Sequence, residues 1–173
     1  MLVFLLGGAR SGKSGLAVRL ASRQKAPVVF LATGEARDEE MAERIALHRQ
    51  QRPGDWRTIE EPRGLTAAIT AVAPEACLII DCLSLWVSNL LEVHTAAEIE
   101  QAAAAAAHAA RDRAGLTIVV SNEAGLGLVP LSPLGRTWRD LIGRVNTTFS
   151  TAADRAYFVI AGRALALEDA ADL

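Results

Sequence analysis

A glycine-rich run near the start of the sequence has the residue types and spacing needed to hold phosphate groups. Residues 7–14 read Gly-Gly-Ala-Arg-Ser-Gly-Lys-Ser and fit G-x-x-x-x-G-K-[ST] at every constrained position. Glycines let the backbone curl so that successive N–H groups point inward and form a nest for phosphate oxygens. In such a loop Lys13 reaches the β- and γ-phosphates, and the Ser14 hydroxyl can ligate Mg²⁺. An apolar run at 2–6 precedes the pattern and a helix from near Gly12 follows it, so we predict a nucleotide-binding loop.

A carboxylate at the end of a second apolar run is a candidate metal ligand. Asp81 follows Cys-Leu-Ile-Ile at 77–80, a run typical of a buried strand. In phosphate-transferring folds a strand-end aspartate holds Mg²⁺ together with the hydroxyl of the phosphate loop, here Ser14. The competing interpretation is that Asp81 only caps the helix that follows. We favour the metal role, because Mg²⁺ requires oxygen ligands and phosphate sites recruit it.

His48 is a candidate nucleophile on a predicted helix. It shares one helical face with Met41 and Ile45, and a lone histidine on such a face is more often a structural residue. However, Arg49 and Arg52 follow it closely in the sequence. A neutral imidazole is a good nucleophile toward phosphorus, and guanidinium groups can hold the phosphates that it attacks. The residues alone leave both interpretations open and favour the structural one.

Two polar pairs at predicted strand ends have either a turn-forming or a functional role. Glu60 and Glu61 form a solvated turn, or they accept hydrogen bonds from the ribose or base of a nucleotide. Asn122 and Glu123 end a strand beside a glycine-rich loop, where open α/β sheets often place a catalytic or sensing group. Turn chemistry explains that second pair equally well.

The order of apolar and amphipathic segments predicts which elements position these residues. Strands are expected at 2–6, 28–32, 77–81, 116–120 and 156–160, with a short extended piece at 55–59. Helices are expected at 12–23, from 38 to before 53, and at 65–72, 83–91, 96–113 and 135–152, followed by a peripheral tail in the last ten residues. This alternation indicates an α/β fold, a RecA-like three-layer P-loop sandwich with a mostly parallel sheet, formed by one domain over 1–173.

Composition excludes several classes of protein. The 173 residues are 51% hydrophobic and 22% charged, with a net charge of −2 and no basic stripe, which argues against nucleic acid as a partner. The apolar amino-terminal run is too short for a signal peptide or a membrane span. Cys77 and Cys82 lack the spacing of a zinc site, so we expect two reduced thiols in a cytoplasmic protein.

Two familiar classes of P-loop protein are disfavoured by what the sequence lacks. The N-K-x-D signature of regulatory GTPases is absent, and so is the arginine-rich lid of nucleoside monophosphate kinases. The remaining alternatives include a monofunctional P-loop small-molecule kinase with a structural His48. A nucleotide-dependent regulatory ATPase, for which the phosphate loop and Asp81 suffice, is also left.

The order of motifs along the chain resembles one enzyme family. The motifs are Gly-Gly-Ala-Arg-Ser-Gly-Lys-Ser at 7–14, Ala32-Thr33, Arg44-Ile45-x-x-His48, Arg52-Pro53, Asp81-Cys82-Leu83, Ser121-Asn122-Glu123-x-Gly125-x-Gly127-x-Val129-Pro130 and Gly143-x-x-Asn146. This set, spread over about residues 2–162, is similar to the bifunctional adenosylcobinamide kinase/adenosylcobinamide-phosphate guanylyltransferase family of cobalamin synthesis. The resemblance implies two reactions at one site.

The first implied reaction is phosphorylation of the hydroxyl on the aminopropanol arm of adenosylcobinamide by ATP or GTP. In the second, GMP moves from GTP to that phosphate, which gives adenosylcobinamide-GDP and pyrophosphate. The resemblance implies that His48 becomes covalently guanylylated. Since an imidazolium cannot attack phosphorus, guanylylation should decline below about pH 6.5, where an ordinary histidine takes up a proton.

The resemblance also implies which residues contact the nucleotide, besides His48 and Lys13 as catalytic residues and Ser14 and Asp81 as Mg²⁺ ligands. The expected nucleotide contacts are Gly7, Gly8, Ala9, Arg10, Ser11, Gly12, Lys13, Ser14, Thr33, Gly34, Glu35, Arg49, Gln50, Gln51, Arg52, Glu60 and Asp81. The expected partners are the corrinoid substrate and further copies of the chain in a homotrimer.

Overall fold

The strands at the centre of the fold are the apolar runs of the sequence. The computed structural model describes residues 1–50 and 52–169, and the side chains of Arg44 and His48 lie outside this description. Seven strands form one sheet: β1 (Leu2–Gly7), β2 (Val28–Ala32), β3 (Arg57–Glu60), β4 (Cys77–Asp81), β5 (Thr117–Asn122), β6 (Arg155–Ile160) and β7 (Arg163–Leu167). Their order is β3-β2-β4-β5-β1-β6-β7, and β7 alone is antiparallel to its neighbour. The predicted α/β fold with a mostly parallel sheet is confirmed.

Helices cover both faces of this sheet. They are α1 (Lys13–Ala21), α2 (Glu39–Gln50), α3 (Leu65–Ala71), α4 (Leu83–Leu90), α5 (Ala96–Arg111) and α6 (Pro133–Ala152). Side chains alternate across each strand, so that Leu2 and Phe4 of β1 pack on the face covered by α3 to α6, while Val3 and Leu5 pack on the face covered by α1. Two apolar layers therefore enclose the sheet, as in a three-layer sandwich.

Helix α5 shows why the alanine run is a packing surface and not a linker. It begins with a capping box between Thr95 and Glu98. Its buried residues recur at helical spacing: Ile99, Ala103, Ala106, Ala107 and Ala110. Small side chains on one face let neighbouring helices approach closely, so the tract packs into the larger of the two apolar layers.

Arg113 holds the turn between α3 and β4. Its buried guanidinium donates to four backbone carbonyls, those of Ile69, Val72, Ala73 and Ala76, at 2.8–3.2 Å. The charge thereby satisfies carbonyl groups of the turn between α3 and β4, two of which, Ile69 and Ala73, also accept from backbone N–H groups.

The structure corrects the predictions for two elements in the carboxyl-terminal part of the chain. Part of the segment predicted as a peripheral tail belongs to the sheet, because Arg163–Leu167 forms strand β7 along its edge. The two strands of this hairpin are joined through Ala161 and Gly162, which have φ values of 49° and 75°. Helix α6 also begins earlier than predicted, at Pro133, because the Ser132 hydroxyl accepts from the Gly135 N–H and caps it.

Two further observations bear on earlier expectations. Cys77 and Cys82 are free thiols, and both are buried. Across the described ranges, no helix combines the length and apolar character that crossing a membrane requires.

Candidate active site

The phosphate loop joins β1 to α1 and is enclosed by neighbouring backbone. Gly12 has a φ of 102°, a left-handed conformation that suits glycine, and Arg10 also has a positive φ of 56°. A Cβ at Gly7 would collide with the carbonyl oxygen of Val159 in β6. The Gly162 N–H donates to the Ser11 carbonyl at 2.9 Å, so the turn of the β6–β7 hairpin holds the loop from outside.

Lys13 lies inside this loop with its charge already in place. Its side chain is only 6% exposed, and Nζ donates to the carbonyls of Gly7 at 2.9 Å and Gly8 at 2.7 Å. Burial lowers the pKa of Lys13, and the negative charge of Asp81 acts in the opposite direction. The ammonium is thus held at the position where the pattern predicted a phosphate-binding cation.

The carboxyl ends of β2 and β4 are joined by Thr33. Its N–H donates to the Asp81 carbonyl at 3.2 Å, and its hydroxyl exchanges hydrogen bonds with the Cys82 carbonyl and N–H at 2.7 and 2.9 Å. Thr33 is fully buried, whereas Gly34 and Glu35 beyond it are partly exposed. Thr33 therefore fixes Asp81 beside the start of the loop that leaves β2.

The Asp81 carboxylate is half-buried and unpaired in the part of the chain that the structure describes. It makes no hydrogen bond or ion pair there, although the charges of Lys13 and Arg52 lie within electrostatic range. The Ser14 hydroxyl likewise has no hydrogen-bond partner among the described residues. One carboxylate and one hydroxyl fit Mg²⁺, which is usually held by one or two protein oxygens together with phosphates and water. Within the described ranges, no group of three or more His, Cys, Asp or Glu could hold a metal ion.

The α2–β3 side of this edge is built from exposed charges. Arg49 near the end of α2 forms an ion pair with Glu60 at the end of β3. The Arg52 guanidinium carbon lies 3.4 Å from the centre of the Phe30 ring, a cation–π contact. Burial lowers the pKa of Arg52, and Asp81 opposes this shift. The backbone of His48 lies in the same helix, one residue before Arg49.

A ring of ion pairs, absent from the sequence predictions, ties three loops together near Thr33. Arg37 pairs with Glu35 and Glu92, and Arg63 pairs with the same two carboxylates at 3.7 and 3.4 Å. Buried Asn89 lies beneath this ring, where it donates to the Thr33 and Pro62 carbonyls at 2.7 and 3.1 Å and accepts from Arg37 at 2.9 Å. No local pattern reveals such contacts, because the partners come from three separate loops.

A buried polar network follows the end of β5. The Asn122 amide donates to the Ser84 hydroxyl at 2.9 Å, and Asn146 of α6 donates to the Asn122 carbonyl at 3.1 Å. The Ser84 hydroxyl also lies 3.0 Å from the Cys82 sulfur. The network links the strand next to the phosphate loop with the residues that follow Asp81.

The segment after this network runs along the surface. Glu123 donates its N–H to the Gly7 carbonyl at 3.0 Å, and its carboxylate accepts from the Gly125 N–H. Beyond it, aliphatic side chains are exposed to 62–98% of their full area: Leu126, Leu128, Val129, Leu131 and Leu134. This apolar segment, residues 124–134, begins directly beside the phosphate loop.

A separate cavity of about 800 Å³ lies at the amino ends of β2, β3 and β4. Its lining includes Lys25, Pro27, Trp56 and Arg57. Because the phosphate loop follows the carboxyl end of β1 in the parallel part of the sheet, this cavity lies at the opposite edge. It is therefore not part of the candidate active site.

Comparison with known proteins identifies the family of this chain and its activity. The family described as "Cobinamide kinase / cobinamide phosphate guanyltransferase" matches residues 3–167. The chain belongs to this family. It accordingly has the two activities that define cobinamide kinase/guanylyltransferases, with nucleoside triphosphates as substrates.

Relatives of this enzyme share most of its length. "Bifunctional adenosylcobalamin biosynthesis protein CobP" of Pseudomonas aeruginosa is 42% identical over 165 residues, covering 95% of each chain. The proteins named CobU of Escherichia coli and Salmonella typhimurium are 36% and 39% identical, each covering 94% of this chain and 97% of its own length.

A solved structure supports the P-loop fold. It is described as a prototypical ATPase from the type III secretion system of pathogenic bacteria and aligns with a TM-score of 0.58 at 12% identity. The alignment covers 91% of this chain and 50% of the ATPase chain. At that identity the likeness concerns the fold alone.

The structure brings many of the predicted site residues of this cobinamide kinase/guanylyltransferase to the carboxyl edge of the sheet. The phosphate loop, Thr33, Gly34, Glu35, Glu60 and Asp81 all follow or end neighbouring strands there. Gln50 is the last residue of α2, and Gln51 lies outside the described residues. Because the side chain of His48 is also outside that description, its role stays a prediction.

Proposed function

We propose that this enzyme carries out both reactions at one triphosphate site, with His48 as the covalent carrier of GMP. In the first reaction the hydroxyl of adenosylcobinamide takes the γ-phosphoryl group of ATP or GTP. In the second, His48 attacks the α-phosphorus of GTP and later passes GMP to adenosylcobinamide phosphate. The supporting observation is the buried Lys13 ammonium inside the phosphate loop, on the same sheet edge as the strand that precedes α2.

The phosphate loop would serve both reactions. During phosphorylation, Lys13 and the loop amides stabilise the charge that develops on the transferred group and the departing diphosphate. During guanylylation, the same groups stabilise the departing pyrophosphate. Ser14 and Asp81 would hold Mg²⁺, which neutralises phosphate charge when it is bound. The unpaired oxygens of these two residues support that assignment.

The arginines that follow His48 would hold the other end of the nucleotide. Arg52 is stacked on Phe30 and partly desolvated, so its interaction with a phosphate would be stronger than that of a fully hydrated cation. Covalent catalysis by His48 would divide the GMP transfer into two displacements at phosphorus.

GTP labelled at the α-phosphate tests the covalent step. Label should stay with the denatured protein, be lost in acid, survive in base and disappear in the His48→Ala variant. Phosphorylation of adenosylcobinamide by that variant should persist, since it needs no histidine adduct. Active phosphorylation without any α-label in the wild type would contradict the proposal and leave His48 a structural residue.

We also propose a homotrimer in the cytoplasm. The apolar segment supports an assembly, because an exposed run of aliphatic side chains is typical of surfaces buried between subunits. The two free, buried thiols suit a reducing compartment. Sedimentation should give a trimer, and Leu128→Asp with Leu131→Asp should dissociate it; a monomeric wild type would overturn the assembly.

A further inference from the structure

The two reactions of this enzyme differ in what their acceptors must lose. The acceptor of the kinase reaction is a hydroxyl, whose proton must leave as its oxygen bonds to phosphorus. The acceptor of the guanylyltransferase reaction is a phosphate, which is already an anion at neutral pH. Only the first reaction therefore gains from a general base, and such a base must lie beside the γ-phosphate end of the phosphate loop.

Topology limits which residues can lie there. The strand that carries the phosphate loop, β1, is hydrogen-bonded to β5 on one side and β6 on the other. Strand β6 leads into the uncharged turn at Ala161 and Gly162. Strand β5 leads into Glu123, whose N–H donates to the carbonyl of Gly7, the first residue of the loop, at 3.0 Å. Glu123 is therefore the acidic residue whose backbone is hydrogen-bonded to the phosphate loop.

The lack of an ion pair among the described residues sets Glu123 apart from Glu35 and Glu60, two other carboxylates at the same edge of the sheet. Glu35 and Glu60 are paired with arginine side chains, so their carboxylate oxygens are already engaged. Within the described parts of the chain, Glu123 forms no ion pair, and its carboxylate accepts one hydrogen bond, from the Gly125 N–H. The residue is partly exposed, so a substrate hydroxyl can approach it.

The neighbouring groups are less suited to this task. The Asn122 amide has no basic atom and is engaged with Ser84. His108 lies on the exposed side of α5, and His94 precedes the cap of that helix near Glu98. With Asp81 assigned to Mg²⁺, Glu123 is the remaining unpaired carboxylate among the described residues around the loop.

We infer that Glu123 is the general base of the kinase reaction, an inference that rests on the proposed use of one triphosphate site. The acceptor oxygen forms a bond to the γ-phosphorus while its proton moves to the Glu123 carboxylate. The bond between the γ-phosphorus and the bridging oxygen breaks, and the nucleoside diphosphate leaves with that electron pair. Glu123 then releases the proton to water.

Gly125 supports this role by leaving room for the carboxylate. A Cβ built at Gly125 would lie 2.9 Å from the Oε1 atom of Glu123, closer than such atoms normally approach. A side chain at 125 would therefore displace the carboxylate without removing it. Gly125 is a positioning residue, and Gly125→Ala provides a second, independent variant.

The test compares two reactions of the same variants. Glu123→Gln should lower kcat for phosphorylation of adenosylcobinamide by about 10²–10⁴-fold, the usual contribution of a general base. Its rate of GMP transfer to supplied adenosylcobinamide phosphate, and its α-labelling by GTP, should stay within about twofold of wild type. Gly125→Ala should also lower the kinase rate but not the rate of GMP transfer, and its effect on the kinase rate should be smaller. Glu100→Gln, which removes a carboxylate paired with Arg144 on α5 and α6, is the matched control and should leave both rates unchanged.

Two results would overturn the inference. Equal losses in both reactions would assign Glu123 to nucleotide binding or folding, and an undiminished kinase rate in Glu123→Gln would exclude it as the base. The two proposals fail separately. Missing α-label in the wild type contradicts the histidine intermediate, whereas the role of Glu123 is decided by the kinase reaction.

Discussion

The phosphate loop and helix α2 both lie near the carboxyl edge of the sheet, but they are held by different interactions. The loop is surrounded by β1, β5 and β6, and its cation is buried against backbone carbonyls. In α2, none of the side chains that the structure describes is buried, and Arg49 connects it to β3 through an exposed ion pair. Backbone contacts in a buried site are hard to adjust, whereas exposed ion pairs exchange with water at little cost. The enzyme thus combines a phosphate site held by buried backbone contacts with a helix, the one that contains His48, whose described side chains are exposed or half-buried.

Replacing the buried cation should have the largest effect that is common to both reactions. Lys13→Met keeps most of the aliphatic volume but removes the charge from the phosphate loop. Because both reactions leave phosphate charge in this loop, kcat/KM should drop by about 10²–10³-fold for each. Steady-state kinetics with both acceptors checks this. A loss confined to one reaction would contradict the proposal of a shared site, because it would show that the loop serves only that reaction.

Removing the stacked arginine should separate the two reactions. Arg52→Ala should slow α-labelling by GTP about 10–30-fold, since a hydrogen bond to a charged phosphate is worth about 1.5–2 kcal/mol. Phosphorylation should change little, because the phosphate loop holds the reacting end of the nucleotide. Rates of labelling and of phosphorylation in one preparation give the comparison. Arg57→Ala, an exposed residue at the amino end of β3, is the control.

The smallest effects concern the two buried thiols, those of Cys77 and Cys82. Burial raises the pKa of Cys77 and of Cys82 to about 11, so at pH 8 only about one thiol in a thousand is ionised. Both should resist iodoacetamide in the folded enzyme and react after denaturation, as measured by mass spectrometry. Rapid alkylation of the native protein would show that the core around these thiols opens readily.

The raised pKa values of the two thiols also make the stability of the enzyme depend on pH. Unfolded thiols ionise near the ordinary value of 9.0, before the folded ones do, so the free energy of unfolding should decrease as pH rises from about 9 to about 11. Urea denaturation across this range measures it. The sign follows because the unfolded state loses its protons first.

The difference between the two regions also explains what sequence reasoning could reach. The phosphate loop follows a pattern of adjacent residues, and β1, β2 and β4 are continuous apolar runs, so local information suffices for them. The ion-pair ring of Glu35, Arg37, Arg63 and Glu92 joins separate loops and has no local pattern.

Other features were missed for reasons of exposure and context. Strand β7 is short and exposed along its whole length, so it has no buried alternation to indicate a strand. The residues around His48 favoured a structural role, and only the resemblance to a family suggested a nucleophile. The sequence indicated Glu123 as one candidate for a catalytic or sensing residue, but its backbone contact with Gly7 has no local pattern.

The bond between Gly162 and Ser11 bears on how the enzyme is made. During synthesis the phosphate loop leaves the ribosome before its outer support, which lies in the β6–β7 hairpin. Its neighbour strands β5 and β6 are also late in the sequence. A nascent chain should therefore acquire tight nucleotide binding only after β6 and β7 have been made.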